Sequence, residues 1–160
     1  MRRLNPEYVE RVRQLVEGSP FFSLLSTKVR ELGAGHAVFE IETERKHHQP
    51  FGLVHGGVLA SIVDGAAFWS LICEIDDEDT GITSVDLKLN YLAPVAAGKI
   101  VATGRRIKMG RTLAYAEASV SGPQGELLAH GTSTVMLLPG RRLPADPPLP
   151  PKFVEDDAGP

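Results

Sequence analysis

The feature that most constrains the fold is a run of residues, from 56 to about 75, whose apolar side chains fall on every side of a helix. Val58, Leu59, Ile62, Val63, Ala66, Ala67, Phe68, Trp69, Leu71 and Ile72 leave no broad polar face. A helix that is apolar all round must be buried all round. At 160 residues the chain is about one domain, and a curved sheet can supply the surface that covers such a helix. A bilayer is a poor cover, because Ser61, Asp64, Gly65, Ser70 and Glu74 interrupt the run.

The flanking segments are consistent with that sheet. Asn5-Pro6-Glu7 reads as a helix start, with Asn as N-cap and Pro in the first turn. Tyr8, Val12, Leu15 and Val16 follow at helical spacing, and Gly18 is a stop. Residues 20–25 read as an apolar connector. Residues 27–32 and 36–43 flank Gly33-Ala34-Gly35 and read as a hairpin. Residues 46–55 carry Pro50 and Gly52 and read as a loop. After the long helix, alternation in 84–91, 100–109, 112–121 and 127–138 predicts three or four antiparallel strands. Gly122-Pro123-Gln124-Gly125 is a strong turn signal among them. There is no regular β-α alternation, so the fold class is α+β. Seven of the 12 prolines fall in 139–160, which predicts an extended or disordered tail. The domain division is therefore 1–26, an N-terminal helix and connector, then 27–138, the main domain, then the tail.

Composition removes several functions. Seventeen basic against 20 acidic side chains give a net charge of −3, which argues against a broad nucleic-acid footprint. The single cysteine, Cys73, cannot form an intrachain disulfide and sits in an apolar stretch, as a small buried hydrophobe would. A lone cysteine fits a reducing cytoplasm. Arg2 and Arg3 have no apolar segment behind them, so neither a secretory signal nor a membrane partner is expected.

Two places break local rules. Asp64 puts a carboxylate in the middle of the apolar helix, and Gly65 beside it costs ~1 kcal/mol of helix propensity relative to Ala. Asp64 is either a structural carboxylate bonded at a packing contact or a functional one. His55-Gly56-Gly57 lies where loop becomes helix. The first N–H groups of a helix lack partners within it, and glycine admits a second molecule close to the backbone, so the junction has the local geometry of an oxyanion site. Gly56 and Asp64 are eight residues apart, or ~12 Å along a straight helix. An oxyanion donor must lie ~3 Å from its oxygen. If both residues serve one reaction, they must come from two antiparallel copies of the helix, and the site lies between subunits.

The run Gln49-Pro50-Phe51-Gly52-Leu53-Val54-His55-Gly56-Gly57, with Asp64 following, resembles the hotdog-fold acyl-CoA thioesterases. The phenylacetic-acid-degradation and 4-hydroxybenzoyl-CoA types are the relevant branches. Ser84-Val85-Asp86-Leu87-Lys88-Leu89-Asn90-Tyr91-Leu92-Ala93-Pro94 is similar to the strand after the central helix in that family, and Gly110-Arg111-Thr112-Leu113-Ala114 to its next hairpin. The similarity runs from about residue 36 to 138. It implies a hotdog fold, with a long central helix wrapped by a curved antiparallel sheet. It implies a homo-oligomer, a dimer or a dimer of dimers, that hydrolyses a small or medium acyl-CoA, with aromatic acyl groups among the candidates. No cofactor is implied beyond the CoA of the substrate.

The resemblance also assigns roles. Gly56 N–H would polarise the thioester carbonyl, with His55 shaping that pocket and Gly57 contacting the substrate. Gln49 would position the thioester or the attacking water. Asp64 from the facing subunit would be nucleophile or general base, and Ser84 would orient it. The branches are mixed here. The phenylacetic-acid-degradation pattern usually has Asn where Gln49 stands. The Gln-Pro-Phe-Gly loop resembles the 1,4-dihydroxy-2-naphthoyl-CoA thioesterases, which use Glu where Asp64 stands. Arg105, Arg106, Lys108 and Arg111 gather near a predicted turn and are candidates for the CoA phosphates, or simply a solvated hairpin. Phe68 and Trp69 are candidates for an acyl pocket or for core. His47, His48 and His55 lack a full zinc ligand set, so no metal is expected. The acidic cluster at 74–79 lacks calcium-loop spacing. Two rivals remain: a hotdog module that binds acyl-CoA without turnover, and a hotdog hydratase or dehydratase.

Overall fold

The computed structural model describes residues 2–155. Helix α1 (Pro6–Gly18) begins where Asn5-Pro6-Glu7 predicts, with the Asn5 side chain accepting the Glu7 N–H at 3.0 Å. Tyr8, Val12 and Val16 form its buried stripe. The predicted hairpin is β2 (Lys28–Gly33) with β3 (His36–Glu42). The long helix is α3 (Gly56–Ile72). It ends three residues before the expected 75, and the acidic segment beyond it turns on Asp77, which accepts from the Asp79 N–H and the Thr80 hydroxyl. Four strands follow, β4 (Gly81–Tyr91), β5 (Lys99–Met109), β6 (Leu113–Ser121) and β7 (Leu127–Leu138).

These strands form one six-stranded antiparallel sheet in the order β2-β3-β5-β6-β7-β4. Bulges between Val29 and Glu31, Ser84 and Asp86, and Arg106 and Lys108 bend and twist its strands. Helix α3 packs along one face and touches every strand. Ten of its residues are buried, each large one contributing roughly 1.5–3 kcal/mol by leaving water. The helix fits closely because a row of small residues crosses the sheet beneath it. Ala37 pairs with Gly104, Gly104 with Ala118, and Ala118 with Gly131. A Cβ on Gly104 would lie 1.9 Å from the Ala66 carbonyl oxygen, so helix and sheet meet there backbone to backbone. This is the α+β arrangement of a long helix wrapped by a curved antiparallel sheet.

Two segments differ from the sequence reading. Residues 20–25 are not a plain connector: Pro20–Leu24 forms a short helix, α2, too brief to leave a periodic pattern. The tail is mostly exposed over 139–155, as an extended chain would be, but it is docked at its end. Its end, β8 (Phe153–Glu155), pairs with β1 (Arg2–Leu4), and Lys152 is 2% exposed with its ammonium donating to the Ile75 carbonyl at 2.8 Å. Asn5 ties the same strap down, its side chain donating to Pro151 O at 2.8 Å and its backbone N–H to Lys152 O at 2.8 Å. Proline content suppresses ladder pairing within 139–151, but it does not prevent an extended chain from docking. The tail reading for 156–160 lies outside the described residues. Among the described residues no helix is long and apolar enough to cross a membrane.

Candidate active site

Helix α3 presents chemistry at two points along its length. At its start, His55 is the N-cap and its Nδ1 accepts the Gly57 N–H at 2.8 Å. Gly57 therefore spends its donor on the cap. The Gly56 N–H has no hydrogen-bond partner among the described residues, as the first position of a helix allows. Tyr91 lies over Gly56, its hydroxyl donating to the Gly56 carbonyl at 3.1 Å, and a Cβ on Gly56 would sit 3.1 Å from the ring. Gln49 lies in a closed turn, with Gly52 N–H donating to Gln49 O at 3.0 Å and Gln49 N–H to Leu53 O at 2.8 Å. Its side-chain oxygen accepts the Phe51 N–H, which leaves the amide NH2 as the end available to a ligand. Gln49, Gly56, Tyr91 and Leu92 line one cavity of about 360 Å³.

Two turns further along, the half-buried Asp64 faces the other region. The Ser84 hydroxyl, on β4, donates to Asp64 Oδ1 at 2.9 Å. That bond fixes one carboxylate oxygen and leaves Oδ2 for chemistry. Asp64 and Ser84 line a larger, mostly apolar cavity of about 590 Å³ with Phe21, Phe22, Phe68 and Trp69. Phe68 and Trp69 meet edge to face at 5.2 Å between centroids. They are half-buried cavity walls and not part of the closed core. No described cavity contains both Gly56 and Asp64, which follows from their spacing along one helix.

Other sequence candidates fall elsewhere. Lys108 and Arg111 sit at the β5–β6 turn and line neither cavity. Arg105 pairs with Glu117 and Arg106 with Glu74. His47, His48 and His55, three of the five histidines, are each tied to backbone. His47 Nδ1 accepts the Glu44 N–H at 2.8 Å and its Nε2 bonds Leu25 O at 2.9 Å, His48 bonds Ala96 O, and His55 caps α3. Burial pushes the Cys73 thiol up to about 11, away from nucleophilic use at neutral pH. Sequence reasoning missed Phe21, Phe22 and Tyr91. Tyr91 closes the alternation of β4 and so carried a signal, whereas the two phenylalanines reach the site only through tertiary packing.

Strand β4 is an edge of the sheet and leaves apolar side chains uncovered. Val85, Leu87, Tyr91 and the following Leu92 are 49%, 37%, 57% and 55% exposed. An apolar edge strand is a template for pairing with another chain.

A family model described as the thioesterase superfamily matches residues 51–129. The chain is 31% identical over 119 residues to acyl-coenzyme A thioesterase 13 of Mus musculus, covering 72% of this chain and 84% of that protein. It is 29% identical over 108 residues to 1,4-dihydroxy-2-naphthoyl-CoA hydrolase of Listeria monocytogenes, covering 68% of this chain and 87% of that one. Among solved structures, zebrafish thioesterase superfamily member 2 superposes with a TM-score of 0.71 at 29% identity, covering 81% of this chain and 98% of that one.

Proposed function

The chain belongs to the thioesterase superfamily and is a thioester hydrolase, and from that premise we propose that Asp64 and Gly56 carry its chemistry from opposite subunits of a homo-oligomer. The substrate is a small or medium acyl-CoA. The observation that carries the reading is Asp64 itself: a carboxylate on an apolar helix, held by Ser84 through one oxygen, at the wall of a cavity large enough for an acyl group.

Thioester hydrolysis builds negative charge on the carbonyl oxygen. The Gly56 N–H, unpaired among the described residues and at the positive end of α3, is suited to stabilise that charge. Asp64 Oδ2 either takes a proton from the water that attacks the acyl carbon, or attacks it directly to give a mixed anhydride that water then opens. In both routes the C–S bond breaks, CoA leaves as the thiolate and takes up a proton, and the acid is released. Gln49 presents its NH2 to the thioester or the water. The two half-sites lie in separate cavities of one chain, and β4 offers an unpaired apolar edge. Both facts favour an antiparallel pair of chains in which Gly56 of the partner subunit approaches Asp64.

The test is thiol release from a panel of short, medium and aryl acyl-CoA thioesters by wild type, Asp64→Ala, Asp64→Asn and Ser84→Ala. Loss of activity in both Asp64 variants while they stay folded and oligomeric supports the assignment. Ser84→Ala should lose roughly 10- to 150-fold in kcat/KM, the worth of a charge-assisted hydrogen bond of ~1.5–3 kcal/mol. Equal release by all four proteins removes Asp64 from the reaction. In a single turnover in 18O-labelled water, label in Asp64 identifies an anhydride opened at the Asp64 carboxyl carbon, whereas general-base attack puts the label only into the released acid.

A further inference from the structure

We propose that α2 is the specificity element of the acyl site, and that Phe22 and Phe21, with Phe68 and Trp69, select an acyl group ending in a flat aryl ring over a linear chain of equal carbon count. The proposal rests on the reading of the Asp64 cavity as the acyl site.

Helix α2 lies outside residues 51–129, the part matched by the family model. Its five residues include Phe21 and Leu24, which are 54% and 66% exposed. Large apolar groups left in water need a reason. The helix is also firmly held. The Thr27 N–H donates to Phe22 O at 2.9 Å, and buried His47 bonds Leu25 O at 2.9 Å. Phe22 packs against the fully buried Phe39 at 5.5 Å and meets Phe21 near edge-on at 5.8 Å.

The seat for Phe22 is Gly65, the residue after Asp64. A Cβ there would lie 3.0 Å from Phe22 Cε1 and Cζ and 3.5 Å from Phe39 Cε1. Glycine weakens the helix at this position and in return lets an aromatic ring lie against the backbone beside the carboxylate. The cavity then has an edge-on aromatic pair on α2 and another on α3. A linear chain gains only area from such walls. A phenyl ring also gains edge and face contacts, each favouring it by ~2- to 12-fold.

The experiment reads binding, not turnover. Trp69 is the only tryptophan of the chain and lines the cavity, so its fluorescence reports occupancy. The full-length protein is titrated with S-(3-phenylpropyl)-CoA and S-nonyl-CoA, thioethers of equal carbon count with no carbonyl to attack, and with CoA alone. Wild type should bind the aryl thioether about fivefold or more tightly than the nonyl one. Phe22→Leu should erase that preference while leaving nonyl affinity within about twofold. Phe21→Leu, at a more exposed position, should reduce it without a folding cost. Gly65→Ala should weaken aryl binding in a Phe22 background and have little further effect in Phe22→Leu, because both act on one contact. Equal binding of the two thioethers by wild type, or equal weakening of both in Phe22→Leu, overturns the proposal. Thiol release that depends on Asp64 without any aryl preference overturns only the proposal. Aryl preference without thiol release from any thioester supports it and overturns the catalytic reading instead.

Discussion

Replacing Gly104 by Ala tests how the helix is seated on the sheet. Gly104 is the β5 member of the small-residue row beneath α3. The added Cβ would stand 1.9 Å from the Ala66 carbonyl oxygen and 2.3 Å from its carbon. Ordinary contact is about 3.5 Å, so a gap of ~1.6 Å must open. The obstructing atoms are backbone, so no rotamer change can relieve the clash, and α3 or β5 has to move. Overpacked cores lose about 1–3 kcal/mol when side chains can yield. Here the loss should reach about 3 kcal/mol or more. For a domain of this size that corresponds to a Tm lower by roughly 6–12 °C. The assay is urea and thermal unfolding beside Gly18→Ala, whose new Cβ meets nothing within 4 Å and should leave stability unchanged or raise it slightly. Ala66 stands two residues from Asp64, so thiol release by the folded fraction should fall as well. A Gly104→Ala protein within about 0.5 kcal/mol of wild type would refute the close helix-sheet approach.

Three further outcomes are expected. Hydrogen bonds from Arg30, at 3.0 Å from Nε, and then from Lys99 hold the Glu40 carboxyl below its ordinary range, against the opposing pull of burial. A depressed carboxylate pKa stabilises the fold above the unfolded value of about 4.3, and this stability is lost as pH falls through the lower folded value. Glu40→Gln should therefore be less stable than wild type at pH 7, and the gap in denaturant midpoints should narrow as pH falls below the unfolded value of about 4.3. A constant difference across that range would oppose this. Cys73, 1% exposed and with its thiol raised to about 11, should resist a disulfide reagent at pH 8 until denaturant is added; rapid native labelling would place it elsewhere. Lys152→Ala removes a buried stem and the donor to the Ile75 carbonyl, and should cost about 2 kcal/mol or more by thermal unfolding. A negligible change would mean that the strap over 139–155 does not stabilise the domain.

What was readable in the sequence and what was not divide along contact range. Helix α1 announces itself through Asn5, Pro6 and Glu7, and α3 through its unbroken apolar surface, because caps and periodicity are local. The strands of the main sheet show alternation for the same reason. The pairing of β1 with β8 joins segments about 150 residues apart, and three-residue strands carry no period of their own. The burial of Lys152 is equally invisible, since its partner carbonyl belongs to Ile75. At the site, the Gly56 junction and Asp64 were legible as breaches of local rules, and so was Gly65. The reason for Gly65 was not legible, because it lies in Phe22, 43 positions earlier in the chain. Lys108 and Arg111 show the converse: their charge pattern is local and clear, yet the fold puts them at a turn where they line neither cavity. A residue that harms its own helix beside a carboxylate needs a tertiary partner to explain it. An exposed cation at a hairpin needs no tertiary partner, so the helix-weakening glycine is the more informative signal of where the candidate site lies.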